Sequence, residues 1–340
     1  MRIFKIDPQN IDLKLIKKAA QIINKGGLVA FPTETVYGLG ADALEHEAVS
    51  RIFEAKKRPL DDPLIVHIAD EKDLYELAEH VPPKARELMD RFWPGPLTLV
   101  LKKTEKVPDL VTTGLFTVAV RMPSNTIAGK LIEEAGVPIA APSANLFGRP
   151  SPTTAQHVVD DLGDALDMVL DGGRTEIGVE STVVEFVNGK ALVLRPGGVS
   201  IEELRSVIKD VHVCVEGEAV EKSPGKYPRH YSPQARVVIV EDDDRQVENI
   251  LSSARDYTKK GFSVGIMSKQ EHSDFYRGLN NKILGPEADN RTCASRLFHI
   301  LREFDSEDVD IIITEAVRRT GLGLAIMNRL RKAAGLPSAQ

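Results

Sequence analysis

The sequence predicts an α/β protein in two parts: a larger domain built on a mixed sheet and a smaller Rossmann-like parallel domain, joined by a linker. Three observations carry this. A chain of 340 residues is too long for one comfortable core. In roughly the first 210 residues several apolar strand segments follow one another with no helix between them, so some must pair antiparallel. After residue 236 strands and helices alternate, as in a parallel sheet covered by helices.

In order, residues 12–24 read as a helix, with Ile11, Leu15, Ala19, Ile22 and Ile23 near helical spacing and Gly26-Gly27 as the stop. A short buried strand over 28–31 ends at Pro32. A helix over 46–55, a strand over 64–68 and two helices between 70 and 92 follow. Strands come at 97–102 and 117–121, then a helix over 124–135 and a short strand at 139–141. A helix over 153–160 follows a proline-rich lead. Strands at 167–170, 181–187 and 191–195 and a helix over 200–209 complete the first part. The composition changes near 211. Residues 216–236 carry Gly217, Pro224, Gly225, Pro228 and Pro233 with no period, which reads as an extended linker. Strands at 236–240, 262–267 and 309–314 then alternate with helices at 245–259, 290–304 and 321–334. The parts divide at 1–210, 211–236 and 237–340.

The bulk properties narrow the class. There is no apolar run near 20 residues and no signal-peptide pattern at MRIFKIDPQN, so a cytoplasmic address and no membrane contact are expected. Cys214 and Cys293 form no CxxC and no zinc set, which predicts reduced, structural thiols. A net charge of −6 and 5% aromatic residues argue against a protein built to wrap or stack on nucleic acid. No P-loop, GxSxG elbow, HExxH or Cys/His cluster is present, and Gly38-Leu39-Gly40 alone is a weak nucleotide signal.

What is present is a set of polar and basic residues at strand ends. Thr33, Glu34, Thr35 and Tyr37 follow the strand at 28–31. Lys56, Lys57 and Arg58 close a helix, and His67 ends a strand. Thr117 and Arg121 lie four apart on one strand face. Ser143 and Asn145 sit in a PSAN turn and Ser151 among prolines; Ser181 and Thr182 follow Glu180, and Arg195 precedes Pro196-Gly197-Gly198. Loops at strand ends are where α/β sheets place ligands. Converging guanidinium and ammonium groups suit a triphosphate or pyrophosphate. Each residue also has an ordinary structural reading: a solvated helix end for Lys56–Arg58, a half-buried histidine for His67, turn or cap residues for Thr33, Thr35 and Ser143, a salt-bridge partner for Arg195.

The order of the motifs is more specific than any of them. FPTETVYGLG, KxRP, PLIVHI, PGPLT, TVAVRMP, APSAN, SPT, ESTVV and LRPG together resemble the YrdC-type domain of threonylcarbamoyl-AMP synthases. SPGKYPRHYSP resembles the linker of the two-domain form of that family, and GLGLAIMNRLRKAA its last helix. The resemblance spans nearly the whole chain. It implies a YrdC-like mixed, twisted sheet with helices around a concave cleft, and a nucleotidyltransferase that combines L-threonine, bicarbonate and ATP into threonylcarbamoyl-adenylate with release of pyrophosphate. The product would pass to a tRNA threonylcarbamoyl transferase complex that modifies the adenosine beside the anticodon, with tRNA contact weak or indirect.

By resemblance, Thr35, His67, Arg121, Ala141 and Ser181 would hold L-threonine. Lys56, Arg58, Asp62, Thr117, Ser143, Ser151, Arg195 and, from the linker, Tyr231 would hold ATP. No covalent nucleophile is implied; Lys56, Arg58, Arg121 and Arg195 would position anions and neutralise charge. Mg²⁺ would arrive with ATP, and no protein ligands for it are implied. Two departures stand out. The family often has Asn where this chain has Asp62, and an acid beside a polyphosphate would repel it unless magnesium or a lysine intervenes. The linker differs before Arg229, His230 and Tyr231, which match. Two other classes compete: a non-catalytic RNA-binding module, and carbamoyl-adenylate chemistry of the hydrogenase-maturation type, whose acylphosphatase and zinc-finger segments are not seen in this sequence.

Overall fold

The run of strands without intervening helices assembles into one large mixed sheet. In the computed structural model the described residues are 3–214, 227 and 229–337. Those up to Cys214 form a first unit, apart from Gly148–Pro150 and Ile177–Val179, which group with the residues from Tyr227 onward in a second. The first unit holds β1 (Ile3–Lys5), β2 (Val29–Pro32), β3 (Tyr37–Asp42), β4 (Ile65–His67), β5 (Leu97–Lys102), β6 (Thr117–Arg121), β7 (Ile139–Ala140), β8 (Met168–Asp171), β9 (Thr182–Val187), β10 (Lys190–Arg195) and β11 (Val211–Val213). Their spatial order is β1-β8-β2-β3-β7-β4-β6-β5-β9-β10-β11. The pairs β4/β6 and β5/β9 are parallel, while β2/β3, β5/β6 and β9/β10 are antiparallel.

Local sequence explains the helices that cover this sheet. Leu13–Ile23 begins where Asp12 accepts a hydrogen bond from Lys14 N, and it buries Ile16, Ala19, Ala20 and Ile23. Thr126–Ala135 is capped by Asn125 and ended by Gly136 in the left-handed region, φ 67°. The two pack over Phe31, Met168 and Leu170 in one apolar cluster.

The strand Tyr37–Asp42 is absent from the sequence-based expectation. Its two glycines lower the apparent strand preference, yet the packing requires one of them. A Cβ on Gly40 would lie 2.6 Å from the Phe31 ring and 2.8 Å from Ile139 Cγ2. Three short or polar edge strands were equally illegible. β1 and β11 have three residues each, and Val211–Val213 lies within the segment read as linker. Residues 215–226 and 228 of that linker lie outside the described residues.

The second unit contains β12 (Arg236–Val240), β13 (Val264–Lys269), β14 (Asn280–Gly285) and β15 (Ile311–Glu315), all parallel, in the order β12-β15-β13-β14. Helices Gln246–Lys259, Asn290–Ser306 and Gly323–Ala333 accompany them. β14 opens on polar residues and lies at the sheet edge, so it carried no apolar signal. At the strand ends, buried Lys269 pairs with Asp242 at 2.6 Å, and buried Glu315 accepts from Tyr276 at 2.8 Å. No helix among the described residues is long and apolar enough to cross a membrane.

Gly40→Ala should lower unfolding free energy by about 1–3 kcal/mol through overpacking against Phe31. Gly129→Ala, in a helix with open space at its Cβ, should be neutral or stabilise by about 0.5–1 kcal/mol. Urea unfolding of the two variants checks the contrast; equal effects would contradict it.

Candidate active site

Strand register gathers the first polar row. His67 on β4 lies beside Arg121 on β6, and Thr98 on β5 lies opposite Arg121. Residues paired in this way project to the same sheet face. On that face the row is continued by an apolar floor of Ile65, Ala119, Val100 and Val183, joined by Leu194. Thr117 lies at the far end of it, four residues from Arg121, or about 13 Å along the strand. The register therefore leaves Thr117 well away from the polar row.

The turn between β2 and β3 fixes the Arg121 side chain. Thr33 Oγ1 donates to Val36 O at 2.7 Å, so the 2.7 Å contact between Thr33 Oγ1 and Thr35 Oγ1 must use the Thr35 hydrogen. Thr35 Oγ1 in turn accepts from Arg121 Nη1 at 2.9 Å. Arg121 Nε donates to Gly95 O at 3.2 Å, and Nη2 lies 2.6 Å from Glu34 Oε1. Arg121, Thr35, Thr33 and Glu34 are all buried. Thr35 thus orients the guanidinium and keeps one lone pair for another donor.

His67 is buried, and its Nδ1 has no hydrogen-bond partner among the described residues. Burial, then the Arg121 charge, pulls its pKa down to about 3. It is a neutral imidazole at neutral pH. Ala141, also buried, donates its backbone N–H to Ile65 O at 2.9 Å. Tyr37, in the same motif as Thr35, donates to Gly173 O at 2.6 Å, and burial beside Asp171 raises its pKa.

A second group joins the starts of β9 and the end of β10. Thr98 and Ser181 hydroxyls are 2.7 Å apart, and Arg195 Nη2 donates to Ser181 O at 3.1 Å and Oγ at 3.2 Å. Gly197 makes this approach feasible, since a Cβ there would fall 2.3 Å from Glu180 O and from Ser181 C. Ser151 donates to Glu180 Oε1 at 2.5 Å. Sequence reasoning had assigned no role to Glu34, Thr98 or Glu180, although all three lie in or beside the motifs FPTETVYGLG, PGPLT and ESTVV.

The remaining cations are built into backbone. Lys56, at the end of the helix His46–Lys56, donates to Ser143 O at 2.5 Å and Asn145 O at 2.6 Å, which ties the PSAN turn to that helix. Arg58 donates to Asp62 O at 3.0 Å and Pro63 O at 2.8 Å, and pairs with the Asp62 carboxylate at 2.8 Å. The acid at position 62 is thus met by an arginine, and its charge bears on Arg58 first. Tyr231 belongs to the second unit, where its ring stacks on Phe298 with centroids 5.5 Å apart and the Arg329 guanidinium lies 5.1 Å from it. Among the described residues no group of three or more His, Cys, Asp or Glu could hold a metal ion.

Comparison with known proteins covers the whole of this architecture. A family model described as "Telomere recombination" matches residues 21–197, and one described as "Threonylcarbamoyl-AMP synthase, C-terminal domain" matches residues 199–335. A threonylcarbamoyl-AMP synthase of Pyrococcus abyssi (strain GE5 / Orsay) is 49% identical over 94% of each chain. One of Bacillus subtilis (strain 168) is 46% identical over 97% of this chain and 94% of its own length. The crystal structure of P. abyssi Sua5 complexed with L-threonine matches with a TM-score of 0.93 at 45% identity, covering 98% of both chains.

The depressed His67 pKa sets a pH dependence of stability. The folded pKa, about 3, lies below the unfolded value of 6.5, so the unfolded chain takes up the proton first. Stability from this residue is complete above 6.5 and falls as pH drops toward 3. Between pH 7 and 5 the parent protein should lose about 2 kcal/mol more than His67→Gln. Urea unfolding at the two pH values reads this, and parallel pH profiles would contradict it.

Proposed function

The chain belongs to the threonylcarbamoyl-AMP synthase family, and from that membership we propose that it joins L-threonine, bicarbonate and ATP into threonylcarbamoyl-adenylate. The observation that carries the reading is the buried Arg121 guanidinium, oriented by Thr35 and Gly95 beside neutral His67 and Glu34. An amino-acid carboxylate suits such a fork, and the P. abyssi relative solved with L-threonine supports that amino acid. Arg121, His67, Thr35, Ser181 and the Ala141 backbone would form its pocket.

The chemistry needs no covalent enzyme intermediate. The α-ammonium of threonine gives up a proton to solvent, and the free amine adds to the carbon of bicarbonate with loss of water, giving the N-carboxy carbamate. A carbamate oxygen then attacks the α-phosphorus of ATP, and the bond to the bridging oxygen breaks with pyrophosphate as leaving group. The protein's part is to hold the anions close, exclude water and oppose their charge. Lys56, Arg58 and Arg195 would face the phosphates, with Ser143 and Ser151 as hydroxyl contacts, Thr117 meeting a part of the nucleotide distant from Arg121, and Asp62 acting through Arg58. Magnesium would enter with the nucleotide, as part of the substrate. The adenylate would be consumed by a tRNA threonylcarbamoyl transferase, with no strong tRNA contact by this chain. The relatives, named for synthesis, favour this over a non-catalytic RNA-binding role.

Mass spectrometry of mixtures containing ATP, magnesium, bicarbonate and one amino acid tests the reading. Threonylcarbamoyl-AMP and stoichiometric pyrophosphate should appear with L-threonine. Tight RNA binding with no pyrophosphate release would overturn it. Arg195→Ala should cut kcat/KM at least roughly a hundredfold, as for loss of a group that stabilises developing charge; near-normal turnover would refute the phosphate role of Arg195.

A further inference from the structure

Two buried charged groups in the first unit lack a full set of bonds, and they adjoin each other. Arg121 Nη2 and both Glu34 carboxylate oxygens make no directed hydrogen bond among the described residues. Yet Nη2 lies 2.6 Å from Oε1. The contact is an ion pair out of hydrogen-bond alignment. The other two Arg121 nitrogens each donate at least once, Nη1 to Thr35 and Nε to Gly95. The Glu34 and Arg121 side chains are only 6% and 4% exposed. Buried polar groups without partners are costly and rare, so a ligand that supplied the missing bonds would bind with a gain at both.

The two orphan groups define the ligand class. Nη2 calls for an anionic acceptor, and the Glu34 carboxylate for a cationic or N–H donor a few ångströms away. An α-amino acid carries both on adjacent atoms. A hydroxy acid pairs its charge with Arg121 and offers Glu34 only a neutral O–H, which is weaker than a charged donor, and a simple amine satisfies only Glu34. We propose that Glu34 receives the α-ammonium of the amino-acid substrate, and that with Arg121 it makes a clamp selective for the zwitterion. This rests on L-threonine being the substrate, and it adds a residue which that reading does not use. With His67 neutral, the clamp and the zwitterion each carry no net charge. The amino acid therefore replaces an internal ion pair that lacks hydrogen-bond alignment without burying an unbalanced charge.

Titration calorimetry of the full chain tests the assignment, with L-threonine and with 2,3-dihydroxybutanoate of the same configuration, which replaces the ammonium by hydroxyl. Glu34→Gln should weaken L-threonine roughly tenfold or more, the scale of one charged hydrogen bond, and leave the hydroxy acid within about threefold. Glu34→Asp should fall between. Equal losses for both ligands, or an unchanged L-threonine affinity in Glu34→Gln, overturns the assignment alone. No L-threonine binding by the parent protein overturns both this and the substrate reading. Should the Gln variant not fold, the parent protein decides the matter: a preference for L-threonine below about threefold refutes the clamp.

Discussion

The site depends on a guanidinium held out of water by a turn. Arg121 ends a central strand, and a free arginine there would have many rotamers and a large solvation shell. Its conformation is set instead by a one-way chain of hydrogen bonds: Arg121 to Thr35, Thr35 to Thr33, Thr33 to the Val36 carbonyl. Each link consumes a hydrogen and leaves the next donor no choice. The chain is local in sequence except for its first step, so the hairpin β2–β3 is at once a structural element and the orienting group for a residue 86 positions away. Gly40 belongs to the same constraint, because a Cβ there would fall 2.6 Å from the Phe31 ring.

The other cations are preorganised by a different means. Lys56 and Arg195 donate to main-chain carbonyls in the PSAN turn and at Ser181. Those bonds fix the side chains in position through carbonyl dipoles. Arg58 also meets the Asp62 carboxylate at 2.8 Å, which opposes its charge. The acid that looked hostile to a polyphosphate in the sequence is therefore a partner of the arginine. An asparagine at the same place would orient Arg58 through its carbonyl and carry no opposing charge, so the residue at 62 sets how much potential that corner supplies.

Much of this was legible before any coordinates. Apolar segments such as 97–102 and 117–121 match β5 and β6 residue for residue, because they are buried on both faces and have no competing signal. The motif order identified the family, which the matching family models show. What escaped has physical causes. β3 hides behind glycines that serve packing, β14 behind polar edge residues, and β1 and β11 are too short to show a period. Glu34 was visible in FPTETVYGLG as a polar residue among others. Its burial at Arg121 arises from a contact between β2–β3 and β6, and no local pattern encodes that.

Charge accounting across the proposed reaction links the two halves of the site. Threonine enters as a zwitterion, which an Arg121–Glu34 pair accommodates with no net change. Carbamate formation removes the ammonium charge and adds a carboxylate, so the substrate becomes a dianion. Arg121 can oppose one of those charges. The second is repelled by Glu34, which at 2.6 Å from Arg121 is closely bound to the amino-acid end of the pocket. In a low-dielectric site that repulsion is larger than in water. The carbamate oxygen is then driven toward whatever positive potential Lys56, Arg195 and the magnesium-bearing nucleotide provide. On this account the carbamate is poorly held by the threonine pocket alone and gains stability only when ATP is already bound, so the same charges that select the amino acid also couple carboxylation to adenylation.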